Sequence, residues 1–242
     1  MTSLDLATRL IELLYPKMYG CLSCNSEHQL DDMYLCADCA ASLHRIVRCC
    51  PICGRSNNGT PCDDCARGRS FLKAVAVYKY KGGAKGIVRA LKYRNAVYAA
   101  QIMAREIAPL CNFGNIDLIT GVPSKKASYV RRGYNQSSYL GYFLSKELGI
   151  PFELTLALYG KSRVQHFLSK RERKANYANN IVCVKDLKGK SVLLVDDILT
   201  TGATADACAR ALTENGAQAV YVAVFASVPF KQEKQPQEGK ST

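Results

Sequence analysis

The sequence predicts an α/β protein in which a parallel sheet carries helices on both faces and a small cysteine-rich module precedes it. Two short apolar runs, 116–122 and 192–195, have the composition of strands buried on both sides. Each run is followed by a stretch of helical character, 131–148 and 205–215. Buried strands that alternate with helices are typical of a parallel sheet. Four C-x-x-C units are confined to residues 21–65 and indicate the separate module.

The length and composition bound the class of protein. With 242 residues, 48% hydrophobic and 22% charged, the chain is long enough for one globular domain and a small appendage. No apolar run approaches membrane-spanning length, so no membrane insertion is expected. The N-terminus lacks a basic start followed by an apolar core, as a secretory signal would have. We therefore expect a cytoplasmic protein with reduced cysteines.

The net charge of +13 is concentrated in one part of the chain. Residues 66–176 contain 21 Lys and Arg against 5 Asp and Glu. This excess favours polyanionic partners, either nucleic acid or a substrate that carries pyrophosphate. A solvated basic surface without a ligand would give the same pattern.

The cysteines of the C-x-x-C units are predicted metal ligands. Each unit brings two thiolates within reach of one ion, and two units complete the tetrahedral shell that Zn²⁺ prefers. Four thiolates leave no open position for water on the metal, so each site is predicted to be structural. Four C-x-x-C units supply the ligands of two such Zn²⁺. An interleaved pairing and iron–sulfur ligation remain alternatives. Linear pairing gives the two sets Cys21, Cys24, Cys36, Cys39 and Cys50, Cys53, Cys62, Cys65.

The other four cysteines are not assigned to metal. Cys49, which precedes Cys50 of the second set, is predicted not to bind metal. Cys111, Cys183 and Cys208 stand in apolar or helical surroundings and are predicted to be small buried residues.

The segment Val192–Thr204 is the most informative stretch of the chain. An apolar run leads to Asp196 and Asp197, predicted to stand where the strand leaves the sheet. A loop of small hydroxylated residues follows, Thr200–Thr204, and then a helix. Ligands of parallel sheets bind beyond the carboxyl ends of the strands, and such a loop offers N–H and hydroxyl groups to a phosphate. Because paired carboxylates suit sugar hydroxyls or Mg²⁺, the segment predicts a sugar-phosphate site.

Two other interpretations fit parts of this segment. A receiver domain also has a buried strand that ends in paired Asp residues, but there it is the first strand, and only 45 residues follow Asp197 here. A purely structural strand–loop–helix unit is the second alternative.

Basic residues follow the run 116–122 and suit a pyrophosphate. Lys125 and Lys126 come at the predicted strand end, and Arg131 and Arg132 open the next helix. Residues 161–176, which include Arg171 and Arg173, are interpreted as a lid over the site or as an exposed loop without a ligand. Lys92 would contact a phosphate or base, or else lie on a solvated helix face.

The remaining elements complete the organisation. Strands are predicted at 72–80, 181–184 and 219–225, and helices at 82–94 and 96–110. The predicted division is an N-terminal helix at 1–20, the double zinc-ribbon module at 21–68, the α/β domain at 69–228 and a disordered tail at 229–242.

The Val192–Thr204 segment resembles the phosphoribosyl-pyrophosphate (PRPP) signature of type I phosphoribosyltransferases. From about Cys21 to Val224 the chain resembles the ComF, or late-competence, family of phosphoribosyltransferase-like proteins. Besides the signature and the cysteine ribbons, the motifs that carry this resemblance are Leu91-Lys92-Tyr93, Val122-Pro123, Arg132-Gly133-Tyr134-Asn135-Gln136, and Gln165, Ser169, Arg171 and Asn176.

The resemblance implies a type I fold with an N-terminal zinc module and a site for PRPP with Mg²⁺. Asp196 and Asp197 would hold the ribose hydroxyls, directly or through the metal. The 5′-phosphate would lie against Thr200, Thr201, Gly202, Ala203 and Thr204. The pyrophosphate would lie against Lys125, Lys126, Arg131 and Arg132, with Arg171 and Arg173 closing from the lid.

Two functions follow from the resemblance. The first is a PRPP-binding protein of bacterial natural competence that handles single-stranded DNA in the cytoplasm, alongside competence proteins such as a helicase-like uptake motor. The second is a Mg²⁺-dependent phosphoribosyltransferase acting on a base or another acceptor in nucleotide metabolism. The resemblance leaves open whether PRPP is turned over.

Overall fold

A computed structural model describes residue 13 and residues 20–27, 29–158 and 180–230. Its centre is a parallel sheet in the order β1-β6-β5-β2. A separate antiparallel pair is formed by β3 and β4. The strands are β1 (Lys73–Lys79), β2 (Leu118–Gly121), β3 (Leu156–Leu158), β4 (Ile181–Cys183), β5 (Ser191–Leu199) and β6 (Ala219–Ser227).

Helices cover both faces of the sheet, as the sequence predicts. Alternate residues of β5 and β6 belong to two apolar clusters, one on each face. Leu193 and Val195 pack with α3, α4 and α6, whereas Val192 and Leu194 pack with α7. The helices are α1 (Ala37–Ala41), α2 (Asp63–Ala66), α3 (Gly82–Tyr93), α4 (Tyr98–Ile107), α5 (Lys126–Arg132), α6 (Gln136–Leu148) and α7 (Ala203–Glu214).

Strand β5 is longer than predicted, and this changes the position of the acid pair. Its apolar part, Val192–Val195, is fully buried, but pairing with β6 continues to Leu199. On the other edge β2 ends at Gly121, opposite Val195. The prediction that Asp196 and Asp197 lie beyond the strand is therefore wrong. They lie within β5, just beyond the point where β2 stops pairing with one edge of the strand.

The prediction of one long helix opening at 131–136 is also corrected. Gly133 adopts a left-handed conformation (φ +77°) and ends α5, and Asn135 then begins α6 by accepting a hydrogen bond from Ser137 N at 3.1 Å. The basic turn is therefore a corner between two helices. Strand β3 was not predicted, because three residues are too short for a period to be visible.

The two cysteine sets, with the residues around them, form two units that pack on the sheet domain. The first cysteine unit, residues 20–43, contacts α3 through backbone. A Cβ on Gly83 would lie 2.4 Å from Cys39 O, and one on Gly86 only 2.0 Å from Ser23 Oγ. The second cysteine unit, residues 49–70, shares an apolar cluster with β5, β6 and α7. Each unit thus supports a different side of the domain.

Several predicted segments lie outside the described residues. These are most of the N-terminal helix, the lid at 161–176 with Arg171 and Arg173, and residues 231–242 of the tail. Within the described part, no helix has the length and apolar character needed to span a bilayer.

Candidate functional site

A cavity of about 290 Å³ opens at the carboxyl edge of the sheet, beside the end of β2. Carboxylates from β5 form one part of its wall, and basic residues from the β2–α5 segment form another. Its lining includes Lys92, Lys125, Arg132, Asn135, Ser137, Asp196, Asp197, Thr200 and Thr204. The structure therefore brings together the acid pair, part of the Thr-rich loop and part of the basic set.

The acid pair is held by two different partners. Asp197 is only 2% exposed, and its Oδ2 lies 2.6 Å from Lys92 Nζ on the last turn of α3. Asp196 Oδ1 accepts a hydrogen bond from Ser137 Oγ at 2.7 Å. Lys92 thus lines the cavity and does not lie on a solvated helix face. It neutralises a buried carboxylate, a role that requires the tertiary structure to be known.

The pKa values of Asp196 and Lys92 are both shifted by their surroundings. Burial and the neighbouring charge of Asp197 raise the pKa of Asp196 to about 7. Burial alone would lower the pKa of Lys92, but the charges of Asp197 and Asp196 outweigh it, so the pKa is raised. Lys92 is therefore cationic at neutral pH, and Asp196 is near its midpoint. A ligand that binds the ionised carboxylate can therefore shift Asp196 to its deprotonated form.

The loop after β5, Thr200–Thr204, is called the phosphate loop below. Gly202 has φ +80° and begins α7 without a side-chain cap of its own. Ala203 N donates to Thr201 Oγ1 at 3.4 Å, and the other N–H groups at the start of the helix remain available. Thr200 and Thr204 line the cavity. Thr201, Gly202 and Ala203 do not line it, and the carbonyl of Thr201 faces Arg69 instead.

Only part of the predicted pyrophosphate set reaches the cavity. Lys125 and Arg132 line it, whereas Lys126 and Arg131 are exposed outside it. Arg132 Nη1 donates to Gln136 Oε1 at 2.6 Å. Its Nε is buried and has no hydrogen-bond partner among the described residues. Arg132 therefore lines the basic end of the cavity and keeps one buried N–H that no described residue accepts.

The cysteine sets have the geometry of metal centres. Within each predicted set the sulfur atoms all lie within 4.8 Å of one another, so the linear pairing is confirmed. Cys24 and Cys36 sulfurs are 3.8 Å apart, and those of Cys53 and Cys62 are 3.7 Å apart. A tetrahedron with Zn–S bonds of about 2.3 Å requires S···S distances of about 3.8 Å. The donor sets therefore fit zinc.

Hydrogen bonds favour the thiolate at some of the sulfurs, whereas burial raises the pKa of Cys39, Cys53 and Cys65. Cys21 Sγ accepts from Cys36 N at 3.3 Å, and Cys50 Sγ accepts from Cys62 N at 3.5 Å. Hydrogen bonds with Ser26 lower the pKa of the Cys24 thiol to about 6. Such donors stabilise the anionic form that binds a metal.

The other cysteines follow the predictions in part. Cys49 lies outside both sets and is half-buried. Cys208 is fully buried on α7 as predicted. Cys111 and Cys183 are only half-buried, so that prediction is wrong for both. Cys111 follows a short 3-10 turn, and Cys183 is the last residue of β4 in the two-stranded sheet. At both positions one side of the residue faces solvent.

Two further features were not predicted as sites. An aromatic cavity of about 550 Å³ adjoins the first and shares Pro123, Ser124 and Asn135 with it. Its wall includes Tyr129, Tyr134, Tyr139, Tyr142 and Phe152. These residues come from several elements and follow no sequence period, so no local pattern could reveal them.

The second feature is a basic groove of about 580 Å³ between the first cysteine unit and α3. Lys85, Arg89, Tyr93 and Arg94 line it on the α3 side. Lys85 and Arg89 are exposed, and Tyr93 offers an exposed ring (61%). The sequence showed these charges but not the groove, which needs the cysteine unit as its second wall.

Comparison with known proteins agrees with this geometry. A model of the phosphoribosyl transferase domain matches residues 135–240, which include the acid pair and the phosphate loop. The DNA utilization protein YhgH of Salmonella typhimurium is 29% identical over 213 residues, covering 84% of this chain and 94% of that protein. Competence protein F of Haemophilus influenzae is 24% identical over 221 residues, covering 84% and 95%. The ComF resemblance is confirmed.

Competence protein ComFC of Bacillus subtilis is 25% identical over 224 residues, covering 81% of this chain and 89% of that protein. These three relatives each match 81–84% of this chain. With the domain match and the observed sheet, they confirm the predicted fold class, a type I phosphoribosyltransferase-like sheet with an N-terminal Cys₄ module.

Solved structures also match parts of the chain. The allosteric regulatory enzyme of purine biosynthesis is 26% identical with a TM-score of 0.37, covering 54% of this chain but only 26% of its own. This chain thus spans about a quarter of that enzyme. The purine phosphoribosyltransferase of Pyrococcus horikoshii is 20% identical with a TM-score of 0.36, covering 53% and 73%.

Proposed function

We propose that the cavity at the end of β5 binds PRPP with Mg²⁺, and that the protein is a PRPP-binding member of the DNA-handling machinery of competence. The observation that carries the first part is the grouping of three chemistries in one cavity of about 290 Å³. Carboxylates, hydroxyls of the phosphate loop and the basic side chains Lys125 and Arg132 line it together. PRPP has a ribose, a 5′-phosphate and a pyrophosphate, one group for each.

The acid end suits the ribose. Asp197 is already neutralised by Lys92, so Asp196 is the acid whose charge is free to respond to a ligand. Ionised Asp196 accepts hydrogen bonds from ribose hydroxyls in the opening left by β2. When bound, Mg²⁺ would neutralise charge on the pyrophosphate, and the two Asp side chains would hold it directly or through water.

The other two walls suit phosphates. Thr200 and Thr204 offer hydroxyls, and the N–H groups at the start of α7 offer further donors for the 5′-phosphate. Arg132 and Lys125 offer positive charge to the pyrophosphate from the β2–α5 side. Lys126 and Arg131 are exposed, and so we assign them no direct contact. Arg171 and Arg173 keep their proposed role in a lid.

Calorimetric titration tests the PRPP assignment. Mg²⁺ and PRPP are titrated into the wild type and into Asp196→Asn, with ribose 5-phosphate and pyrophosphate as partial ligands. We expect PRPP to bind more tightly than either partial ligand, and the substitution to weaken PRPP about tenfold to a hundredfold. Equal affinity in both proteins, or no binding to the wild type, would contradict the proposal.

The DNA-handling part rests on the basic groove. Lys85, Arg89 and Arg94 line one wall, and Arg94 also donates to Asn25 Oδ1 at 3.2 Å across the groove. The exposed Tyr93 ring offers a stacking surface for a base. Positive charge beside an aromatic ring is the combination that binds single strands without sequence preference. Such a role would place the protein in the cytoplasm, beside competence proteins such as an uptake motor.

A transferase activity is the second candidate, favoured by the aromatic cavity. Because it shares Pro123, Ser124 and Asn135 with the PRPP cavity, a planar acceptor held there would lie next to bound PRPP. Catalysis would then rest on positioning and charge stabilisation. Release of pyrophosphate from PRPP, measured with and without single-stranded DNA and with a panel of bases, separates turnover from binding alone.

A further inference from the structure

The second cysteine unit touches the phosphate loop through two arginines. Arg55 Nη1 donates to the carbonyl of Thr200 at 3.2 Å. Arg69 Nη2 donates to the carbonyl of Thr201 at 2.9 Å. Arg55 lies between the two C-x-x-C units of the second set, and Arg69 follows the second of them. The loop is therefore held from outside the cavity.

Arg55 is fixed by the metal ligands themselves. Its side chain is 5% exposed, and its Nε donates to Cys53 Sγ at 3.4 Å. Its Nη2 donates to Cys62 Sγ at 3.2 Å and to Asp64 Oδ2 at 2.7 Å. With Thr200 as a further partner, the planar guanidinium bridges two thiolates, one carboxylate and one loop carbonyl. Its orientation, and so the position of Thr200, depends on the sulfur atoms together with Asp64.

The geometry of the peptide bond links these two contacts to the direction in which the N–H groups of the loop point. No peptide bond in the described residues is cis, so each C=O and the following N–H point in opposite directions. Arg55 on the carbonyl of Thr200 therefore turns the N–H of Thr201 away from the cysteine unit. Arg69 on the carbonyl of Thr201 does the same for the N–H of Gly202. Neither N–H donates a hydrogen bond within the described part of the chain.

We propose that Arg55 and Arg69 are positioning residues that hold the phosphate loop in its anion-binding conformation. The inference rests on the proposed function for the identity of the anion, the 5′-phosphate of PRPP. Metal bound at the second cysteine unit then supports ligand binding without touching the ligand, because it orders the sulfurs that hold Arg55. A loop of Thr and Gly would otherwise be free to flip these peptides.

The chain offers a matched pair of variants for the test. Arg67 and Arg69 lie near the same carboxylate, at 2.9 Å from Asp64 Oδ1 and 3.9 Å from Asp64 Oδ2. Arg67 is 77% exposed, and only Arg69 bonds the phosphate loop. Arg69→Met and Arg67→Met therefore remove the same charge, but only the first frees a loop carbonyl. Arg55→Lys keeps a charge beside the thiolates and loses the fork that reaches Thr200.

Three measurements are made on the full chain: zinc content, hydrogen–deuterium exchange of peptides covering 200–206 without ligand, and calorimetric affinity for PRPP. Within these peptides the amides that report on the loop are those of Ala203 and Asp206, which donate to Thr201 Oγ1 and Gly202 O. In Arg69→Met and Arg55→Lys we expect wild-type zinc, faster exchange of the loop and about tenfold weaker PRPP binding. Arg67→Met should match the wild type in all three.

Unchanged loop exchange in both Arg69→Met and Arg55→Lys would overturn the inference. So would loss of zinc in both, because the arginines would then stabilise the cysteine unit rather than the loop. If the wild type failed to bind PRPP, the proposed function would fall. The exchange data, collected without ligand, would still decide the positioning role.

Discussion

Lys92 Nζ and Asp197 Oδ2 lie 2.6 Å apart and join the last turn of α3 to the carboxyl end of β5. The Lys92 side chain is 18% exposed and that of Asp197 is 3% exposed, so both charges are largely removed from water. The first cysteine unit packs on the same helix through Gly83 and Gly86. The carboxyl end of β5 is therefore joined by an ion pair to a helix that also carries the first cysteine unit.

Replacing Lys92 by Met should destabilise the fold. The change leaves a buried carboxylate without its cation, which typically costs about 3 kcal/mol or more. Urea unfolding at pH 8 measures the loss. The matched control is the double variant Lys92→Met/Asp197→Asn, which removes both charges and should recover most of the stability. Equal loss in single and double variants would contradict an ion pair as the cause.

The affinity for PRPP should fall as the pH is lowered from 8 to 6. The pKa of Asp196 is raised to about 7, and the ligand is expected to bind the ionised form, so below pH 7 a proton must leave before the ligand binds. One such proton lowers affinity about tenfold over this range. Titrations at several pH values give the slope. In Asp196→Asn the remaining slope should be only that of the phosphates of PRPP.

The same pKa has a consequence for stability, with the opposite sign. A carboxyl whose folded pKa lies above its unfolded value contributes stability that is present at low pH and is lost as the pH rises through 7. Asp196→Asn should therefore be more stable than the wild type at pH 8, and the advantage should shrink at pH 5. Thermal unfolding at the two values checks this, and no change with pH would argue against a buried, protonatable Asp196.

The purified protein should hold about two zinc ions per chain, one at each Cys₄ set. Cys53→Ser should lose about one ion and much of its stability, because metal binding contributes directly to folding. Cys49→Ser is the matched control, since Cys49 is a neighbour in sequence that lies outside both sets. Elemental analysis and thermal unfolding give both quantities. An iron chromophore, or equal zinc in Cys53→Ser and the wild type, would refute the assignment.

Single-stranded DNA should bind weakly, without sequence preference and with strong salt dependence. Lys85→Gln/Arg89→Gln should reduce the slope of log affinity against log salt by about 1.4, at about 0.7 per lost phosphate contact. Lys188→Gln/Lys190→Gln removes the same charge from exposed residues that precede β5, away from the groove. Fluorescence anisotropy with a labelled oligonucleotide compares them. Equal slopes in the two double variants would assign the charge to solubility.

Local patterns predicted those parts of the site that are continuous in sequence. The acid pair, the phosphate loop and the C-x-x-C sets each lie within one short stretch, and the structure keeps their order. Lys92 and Arg55 could not be assigned this way. Their roles depend on Asp197 and Thr200, which are distant in the chain and reach them only through packing. The aromatic cavity has the same origin, because several elements build it together.

The early end of β2 gives Asp196 a second task. Val195 O still accepts from Val122 N, but two residues further the same edge of β5 has no strand beside it. There the N–H of Asp197 is taken by Asp196 Oδ1 at 2.9 Å, so a side chain substitutes for the missing main-chain acceptor. Truncation of Asp196 to Ala would strip this N–H of its partner as well as emptying the ligand site. Asp196→Asn retains a side-chain oxygen that accepts from Asp197 N. It therefore tests the role of the Asp196 charge in ligand binding without removing this hydrogen bond.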